Sequence, residues 1–527
     1  MTRLICQMFR ICFLLLPSAL VSWGGQTPVE PPGPRHIVTG TVVNALTGEP
    51  IRRALVDMHG IVPKSTLTGS DGRFQMEGVP AGLVMFFAQK PGFFDSRTMP
   101  GGESSSPALW SAVGDGKNDF LVKLLPGARI AGRITNHEGE PMEGAQLQIL
   151  HEQILQGHKQ WQTSNNANTD EDGYFCADQL PAGRYLVFMT GPQFEVTVPA
   201  YYPNASDIES AQAIDLRPGQ EFRADFRLRS ERTYRVSGQV FGVPLTNGVG
   251  LSIQNSSGQT VSFPLDLDPA SGQFVAPAMP SGNWTLLLFA ADSEGHQYQA
   301  RQEIAVTHAD LENVRITAHL NAVIPLTVNH SAVPAAGVEG TIFANLISVD
   351  QPNIQTNGTQ QQGDPPVLSF VNVTPGKYKL DVQGFGHECL ESARYGGIDL
   401  TRDYLLVSAG GATQPLIINL RADCAGITAK LRPADQQRPA VALVVPTSGI
   451  GEPKVLPIQA QPKQGMIYAW PNQAVALSPG SYQVYAFSTL DGLEYANRQV
   501  LRNYPSQNVT LGPGDKTEVT LELAEPK

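Results

Sequence analysis

The sequence predicts an all-β protein: tandem antiparallel β-sandwiches following a signal peptide. Three observations predict it. First, the stretch Thr68–Ala88 reads as turn, strand, turn, strand, and the chain repeats it. Asp71-Gly72 is a tight-turn signal, because glycine accepts the positive φ such turns need. Phe74 and Met76 alternate with Arg73 and Gln75, the period of a half-buried strand. Pro80-Ala81-Gly82 makes a second turn, and Leu83 to Ala88 is an apolar run of strand length. The unit returns as Asp172-Gly173-Tyr174-Phe175 with Pro181-Ala182-Gly183-Arg184-Tyr185, and again as Ser271-Gly272-Gln273-Phe274 with Pro280-Ser281-Gly282-Asn283-Trp284. In all three copies ten positions separate the first glycine from the second. Second, no segment holds helical periodicity over three turns, and short strands alternate with turn signals. Third, glycine (51) and proline (41) are frequent, which suits many turns.

The chain is too long, at 527 residues, for one core. The N-terminus carries Arg3 and Arg10, an apolar run from Ile11 to about Val21, then small residues Ser22 and Gly24. This is the pattern of a secretory signal peptide over 1–24, cleaved before Gly25. The apolar run is shorter than a spanning helix needs, and no later segment is long and apolar enough to cross a membrane. Residues 25–35 form a proline-rich linker.

Five units follow, over 36–126, 127–229, 230–320, 321–421 and 422–527. The first opens with the alternating strand Ile37–Val43, turns at Thr47–Ile51 and closes with Phe120–Leu125. Pro126-Gly127 passes directly into Ile130–Ile134, which opens the second. The second has the same parts plus a longer polar insertion, His151–Asn168. The seam recurs at Tyr234–Val240, Val323–Val328 and Cys424–Leu431. Units four and five are degraded: they keep Pro375-Gly376-Lys377-Tyr378 and Pro479-Gly480-Ser481-Tyr482 but lack the Asp-Gly turn. Joined by two or three residues, the units are expected to form a semi-rigid row of beads. Pro100–Gly116 reads as a surface loop.

Net charge is −11 with sparse charged residues, which argues against nucleic acid as a partner. After signal cleavage three cysteines remain, none with the close spacing of a zinc knuckle or redox motif. Export permits a disulfide. Cys389 and Cys424 bracket the later half of one unit and are expected to pair; Cys176, following Phe175 on a strand, reads as a buried free thiol.

The pattern Gly-x-Val, Gly-x-Pro-x-x-x-Ala, Asp-Gly-x-Phe, Pro-Ala-Gly-x-Tyr resembles the carboxypeptidase regulatory-like domain family. Unit one carries it at Gly40, Pro50, Ala54, Asp71, Gly72, Phe74, Ala81 and Gly82; unit two at Gly132, Pro141, Ala145, Asp172, Gly173, Phe175, Ala182, Gly183 and Tyr185. The resemblance is fair for unit three and weak for four and five. It implies seven-stranded transthyretin-like (immunoglobulin-like) sandwiches of the carbohydrate-binding-like fold, related to collagen-adhesin B-type repeats. It is mostly a statement about fold. Tandem arrays of this length with a Tyr-Tyr-Pro segment are similar to exported proteins of soil bacteria such as acidobacteria.

Chemistry is sparse. His137-Glu138-Gly139-Glu140 matches a His-x-x-Glu zinc pair, but it falls in a glycine-containing turn without a third ligand or an enclosing enzyme domain. Thr169–Gly173 resembles the start of a calcium loop without its later bidentate glutamate. No nucleophile elbow or phosphate loop occurs. The reading is therefore not an enzyme: no catalytic residue, no metal ligand and no cofactor is expected. Aromatic rings stack on sugars, and Trp110, Trp161, Trp284, Trp470 and Tyr201-Tyr202 are candidates; Trp110 and Trp161, placed in polar loops, are the preferred carbohydrate-binding residues, and Trp284 takes the place of Tyr185 and reads as core. The expected function is a secreted, non-enzymatic multidomain protein of the cell envelope with a structural, adhesion or protein-interaction role. The alternative is a carbohydrate-binding protein using loop aromatics. The expected partner is an envelope protein or polysaccharide, and the expected location is secreted, periplasmic or cell-surface. Any recognising residues are expected in Pro100–Gly116 and His151–Asn168, where the copies differ.

Overall fold

The computed structural model describes residues 35–59, 62–95, 110–114, 118–192, 198–229, 231–243, 248–331, 342–349, 354–361, 367–384, 388–409, 414–432, 440–459, 466–467 and 476–526. The expected signal peptide at 1–24 and all of the expected linker but Arg35 lie outside them, as do Trp470 and most of Pro100–Gly116. No helix among the described residues is long and apolar enough to cross a membrane. A single turn of helix, Arg498–Leu501, is capped by Asn497, whose side chain accepts from the Gln499 amide. The rest of the regular structure among the described residues is β-strand.

The first assembly packs two four-stranded sheets face to face. One runs Arg73–Pro80, Arg35–Asn44, Asp119–Pro126, Phe93–Asp95; the other Lys64–Leu67, Leu55–His59, Gly82–Gln89, Trp110–Val113. Val38, Val42, Phe74 and Leu124 from the first sheet meet Val56, Met58 and Phe86 from the second in one buried cluster. Alternation in sequence produces this layering, since successive side chains of a strand face opposite sides. The same arrangement recurs around 128–228 and 233–320, each with its own core. Farther along, the two layers merge into one continuous sheet. Gln355–Gln361 pairs with both Ile342–Ser348 and Val367–Val373, giving a nine-stranded sheet. In the last assembly Gly480–Phe487 bridges to Lys516–Ala524, giving a seven-stranded sheet. The fold is a series of β-sandwiches.

The sheets are mixed, not wholly antiparallel. In every assembly the first strand pairs in parallel with a late one: Arg35–Asn44 with Asp119–Pro126, Ala128–Thr135 with Glu221–Arg223, Thr233–Phe241 with Leu311–Thr317, Ala322–Asn329 with Leu416–Arg421, Gly426–Arg432 with Lys516–Ala524. Parallel first and last strands bring the chain in at one end of a sandwich and out at the other. That is what lets a two-residue seam start the next unit.

Three further expectations are corrected. Cys176 is neither buried nor a free thiol: it is half-exposed on the strand Tyr174–Leu180 and disulfide-bonded. Segments read as loops contain strand: the four described residues Trp110–Val113 of Pro100–Gly116 form a strand, and the His151–Asn168 insertion is a long hairpin, Ala145–Leu155 with His158–Asn168. The units are not a simple row of beads either. Leu150, Leu186, Phe188 and Tyr201 lie on the outer face of a second-assembly sheet and join the core cluster of the third, with Phe263 and Trp284. Cys389 and Cys424 are joined by a disulfide with Cα atoms 5.8 Å apart. It ties the strand Cys389–Tyr395 to the seam entering the last assembly, where Ser478 Oγ also donates to Leu390 O at 2.7 Å.

Candidate functional site

The repeated motif is the natural place to look for chemistry, and its polar groups turn inward on the fold. Gly72, Gly173 and Gly272 hold φ of 72°, 76° and 72°, the left-handed region open to glycine. Their carbonyls accept from Val42, Ile134 and Val240 N–H at 2.8, 2.8 and 2.9 Å, which locks each turn to the opening strand. Asp170 Oδ1 accepts from Asp172 N at 3.1 Å and Tyr174 N at 2.8 Å. These bonds give Thr169–Gly173 the chemistry of an Asx turn, so Asp170 closes the turn on itself.

Two residues had no assigned role in the sequence. Thr68 and Thr169, both buried, make the same pair of bonds. Thr68 Oγ1 donates to Ile51 O (2.6 Å) and accepts from Ala54 N (2.8 Å); Thr169 Oγ1 donates to Met142 O (2.6 Å) and accepts from Ala145 N (2.8 Å). Each stitches the motif's alanine to the turn before the Asp-Gly. Their shared position four residues ahead of Gly72 and Gly173 was the available signal.

The second turn also closes on itself. Tyr185 Oη donates to Pro181 O (2.8 Å), Trp284 Nε1 to Pro280 O (3.1 Å), Tyr378 Oη to Thr374 O (2.9 Å) and Tyr482 Oη to Ser478 O (2.6 Å). A buried aromatic with a polar tip thus satisfies a carbonyl four residues back. Tyrosine and tryptophan are interchangeable here because each carries one donor at the ring's far end. Trp284 is buried, as expected of a core residue. In the first assembly the position is Val84 and this bond is not made.

His137 is exposed, with Nε2 3.7 Å from Glu138 Oε1. Glu140 is engaged by Asn136, whose Nδ2 lies 3.1 Å from Glu140 Oε2 and whose Oδ1 accepts from Glu138 N and Glu140 N. The His-x-x-Glu pair is therefore the tip of a turn organised by Asn136. No group of three or more potential metal ligands occurs among the described residues.

The hairpin of the second assembly is where side chains of mixed chemistry gather. Trp161 sits opposite Glu152 in the middle of a strand and packs, half-buried, against the shared cluster of the second and third assemblies. Trp110 pairs with Met85 at the start of its strand; its side chain lies outside the described residues. The two tryptophans belong to different assemblies. His151 is almost fully buried at the root of the hairpin. Its ring stacks on Tyr185 with centroids 4.4 Å apart, and Gln153 Nε2 lies 3.1 Å from its Nδ1. Burial lowers the His151 pKa to about 4 and raises that of the Tyr185 phenol. Gly183 leaves room for this ring, since a Cβ there would overlap His151 Nε2. At the tip, Gln156 and Gly157 have φ of 49° and 78°, a two-residue turn of the type hairpins favour.

Residues 37–103 and 129–229 match the carboxypeptidase regulatory-like domain. No curated protein matches the chain. Among solved structures, the Bacillus anthracis TIE protein overlaps 73% of this chain and 68% of its own at 12% identity, with a TM-score of 0.17. The minor pilin GBS52 of Streptococcus agalactiae overlaps 37% and 95% at 12% identity and TM-score 0.23. The shaft pilin SpaA of Lactobacillus rhamnosus GG overlaps 36% and 96% at 10% identity and TM-score 0.20. Overlap of this degree carries no information about function, and the likeness to soil-bacterial exported arrays is not borne out by these matches.

Proposed function

From a chain whose residues 37–103 and 129–229 belong to the carboxypeptidase regulatory-like domain family, we propose a secreted, non-enzymatic scaffold of the cell envelope, built from five sandwiches over 36–126, 127–229, 230–320, 321–421 and 422–527 and acting in structure, adhesion or protein interaction. One observation carries this reading. The polar groups of the repeated motif, Thr68, Thr169, Asp170, Tyr185, Trp284, Tyr378 and Tyr482, bond within their own assemblies. The motif therefore spends its chemistry on rigidity and offers a reactant nothing. Buried, satisfied polar groups of this kind specify a unique fold.

The test is where the protein sits and what it binds. Protease shaving and fractionation of intact cells should recover the chain outside the cytoplasm; a cytoplasmic chain would sink the proposal. Purified residues 36–527 on a glycan array separate the scaffold from the carbohydrate-binding alternative. Binding that is lost in Trp110→Ala or Trp161→Ala would favour the alternative. Stoichiometric zinc in the purified protein would overturn the non-enzymatic reading of His137.

A further inference from the structure

The hairpin that distinguishes the second assembly reaches the last one. Its tip fits against Tyr495 and Ala496: Ala496 N donates to Gly157 O at 3.2 Å. A Cβ on Gly157 would lie 2.5 Å from Ala496 N and 2.6 Å from the Tyr495 ring. Glycine is thus required at 157 twice over, by the turn and by the contact. Beside the tip, Lys159 Nζ lies 3.3 Å from Glu494 Oε1. Ile154 packs on an apolar cradle that includes Val441, Tyr485, Phe487, Leu493 and Tyr495. This cradle is a cluster separate from the sandwich core of its own assembly.

The reach comes from length. The corresponding hairpin of the first assembly has strands of 5 and 4 residues, against 11 and 11 here. Six more residues at about 3.3 Å each add about 20 Å. A hairpin extended that far beyond its sheet has no core of its own to cover Ile154. The cradle supplies one, more than 280 residues further along the chain.

We propose that this hairpin is a strap: it folds the array back by fastening the second sandwich to the fifth, and its release gives a longer molecule with the cradle uncovered. The contact is local to the hairpin's tip and includes a backbone hydrogen bond, a partly exposed ion pair and an aliphatic side chain. A contact that small holds because both halves belong to one chain, which keeps their effective concentration high. It is accordingly the joint at which the array opens first, and it sets the distance the array can span.

Crosslinking tests this in the full secreted chain. Cys389 and Cys424 are joined in a disulfide and the expected cleavage after residue 24 removes Cys6 and Cys12, so on a Cys176→Ser background the cysteines introduced by Lys159→Cys and Glu494→Cys are the thiols open to a short bismaleimide. The expected result is an intramolecular crosslink in the monomer. Adding Gly157→Val should cut its yield by about tenfold and lengthen the maximum dimension in small-angle scattering. Ala496→Pro removes the N–H that meets Gly157 O and leaves the hairpin sequence intact, so it should act the same way even if Gly157→Val disturbs the turn. No intramolecular product from the first pair, or an undiminished yield and unchanged dimension with Ala496→Pro, overturns the proposal.

Discussion

Phe175 lies across the strand pair from Gly132, its ring occupying the space a side chain at 132 would need. A Cβ at Gly132 would come within 2.9 Å of Phe175 Cε1 and would overlap the carbonyl of Ala224, which lies between the neighbouring strands Glu221–Arg223 and Phe226–Arg227. Gly40 with Phe74 and Gly238 with Phe274 repeat the relationship. The motif's first glycine and its phenylalanine are one device, in which an aromatic ring covers a residue without a side chain. Gly132→Ala should therefore destabilise the second sandwich by about 2 kcal/mol or more, since backbone on one side cannot yield. Hydrogen exchange of 128–229 in the full chain would show it as faster opening of that segment; unchanged protection would refute the clash.

Tyr185→Phe and Tyr482→Phe keep ring packing but strand the carbonyls of Pro181 and Ser478. Each should cost about 1 kcal/mol, the usual net value of a buried hydrogen bond with some penalty for the orphaned acceptor. Denaturant titration followed by segment-resolved exchange checks it. A loss confined to the mutated sandwich is expected.

His151 gives the second sandwich a pH dependence. Burial holds its folded pKa at about 4, below the 6.5 of an exposed imidazole. Between those values the unfolded chain binds a proton that the folded chain does not, so stability is full above about pH 6.5 and falls as pH drops toward 4. The span is about 3 kcal/mol at most. His151→Phe keeps a ring against Tyr185 and removes the titration. Its stability from pH 7 to 4 should be flatter than the wild type's, and an identical slope would assign the effect to other groups.

The Cys389–Cys424 disulfide closes a loop of sequence separation 35 at the entry to the last assembly. On the chain-entropy model its removal costs roughly 3–4 kcal/mol. Cys389→Ala with Cys424→Ala should lower the denaturation midpoint of the last two assemblies and leave the first three unchanged. A uniform shift along the chain would contradict the local role.

The motif was legible in the sequence because it is local. A turn glycine, the alternation of Phe74 and Met76, and a Pro-x-Gly ahead of an aromatic each depend on a few neighbouring residues. The bridging of Cys389 with Cys424 was also within reach, since the two stand at the start and just past the end of the later half of unit four. Thr68 and Thr169 were missed because a threonine before a turn is unremarkable in one copy and is marked only by its repeated place ahead of Gly72 and Gly173; its value lies in the carbonyl and amide brought to it by the fold. Trp161 and the His151–Asn168 insertion were misplaced for a related reason. Polar residues alternating along a hairpin that meets two other assemblies look, one by one, like a solvated loop.

The sequence by itself determined that this is an all-β chain of repeated sandwiches and where the well-kept copies of the motif turn, because period and turn chemistry are short-range. Only the tertiary structure decided how first and last strands pair, that the second sandwich shares apolar surface with the third, and that Gly157 meets Ala496. Those contacts join residues from about 80 to more than 300 positions apart. Nothing in local spacing encodes which of many exposed strands or apolar side chains will find one another; burial of the joined surfaces selects the pairing.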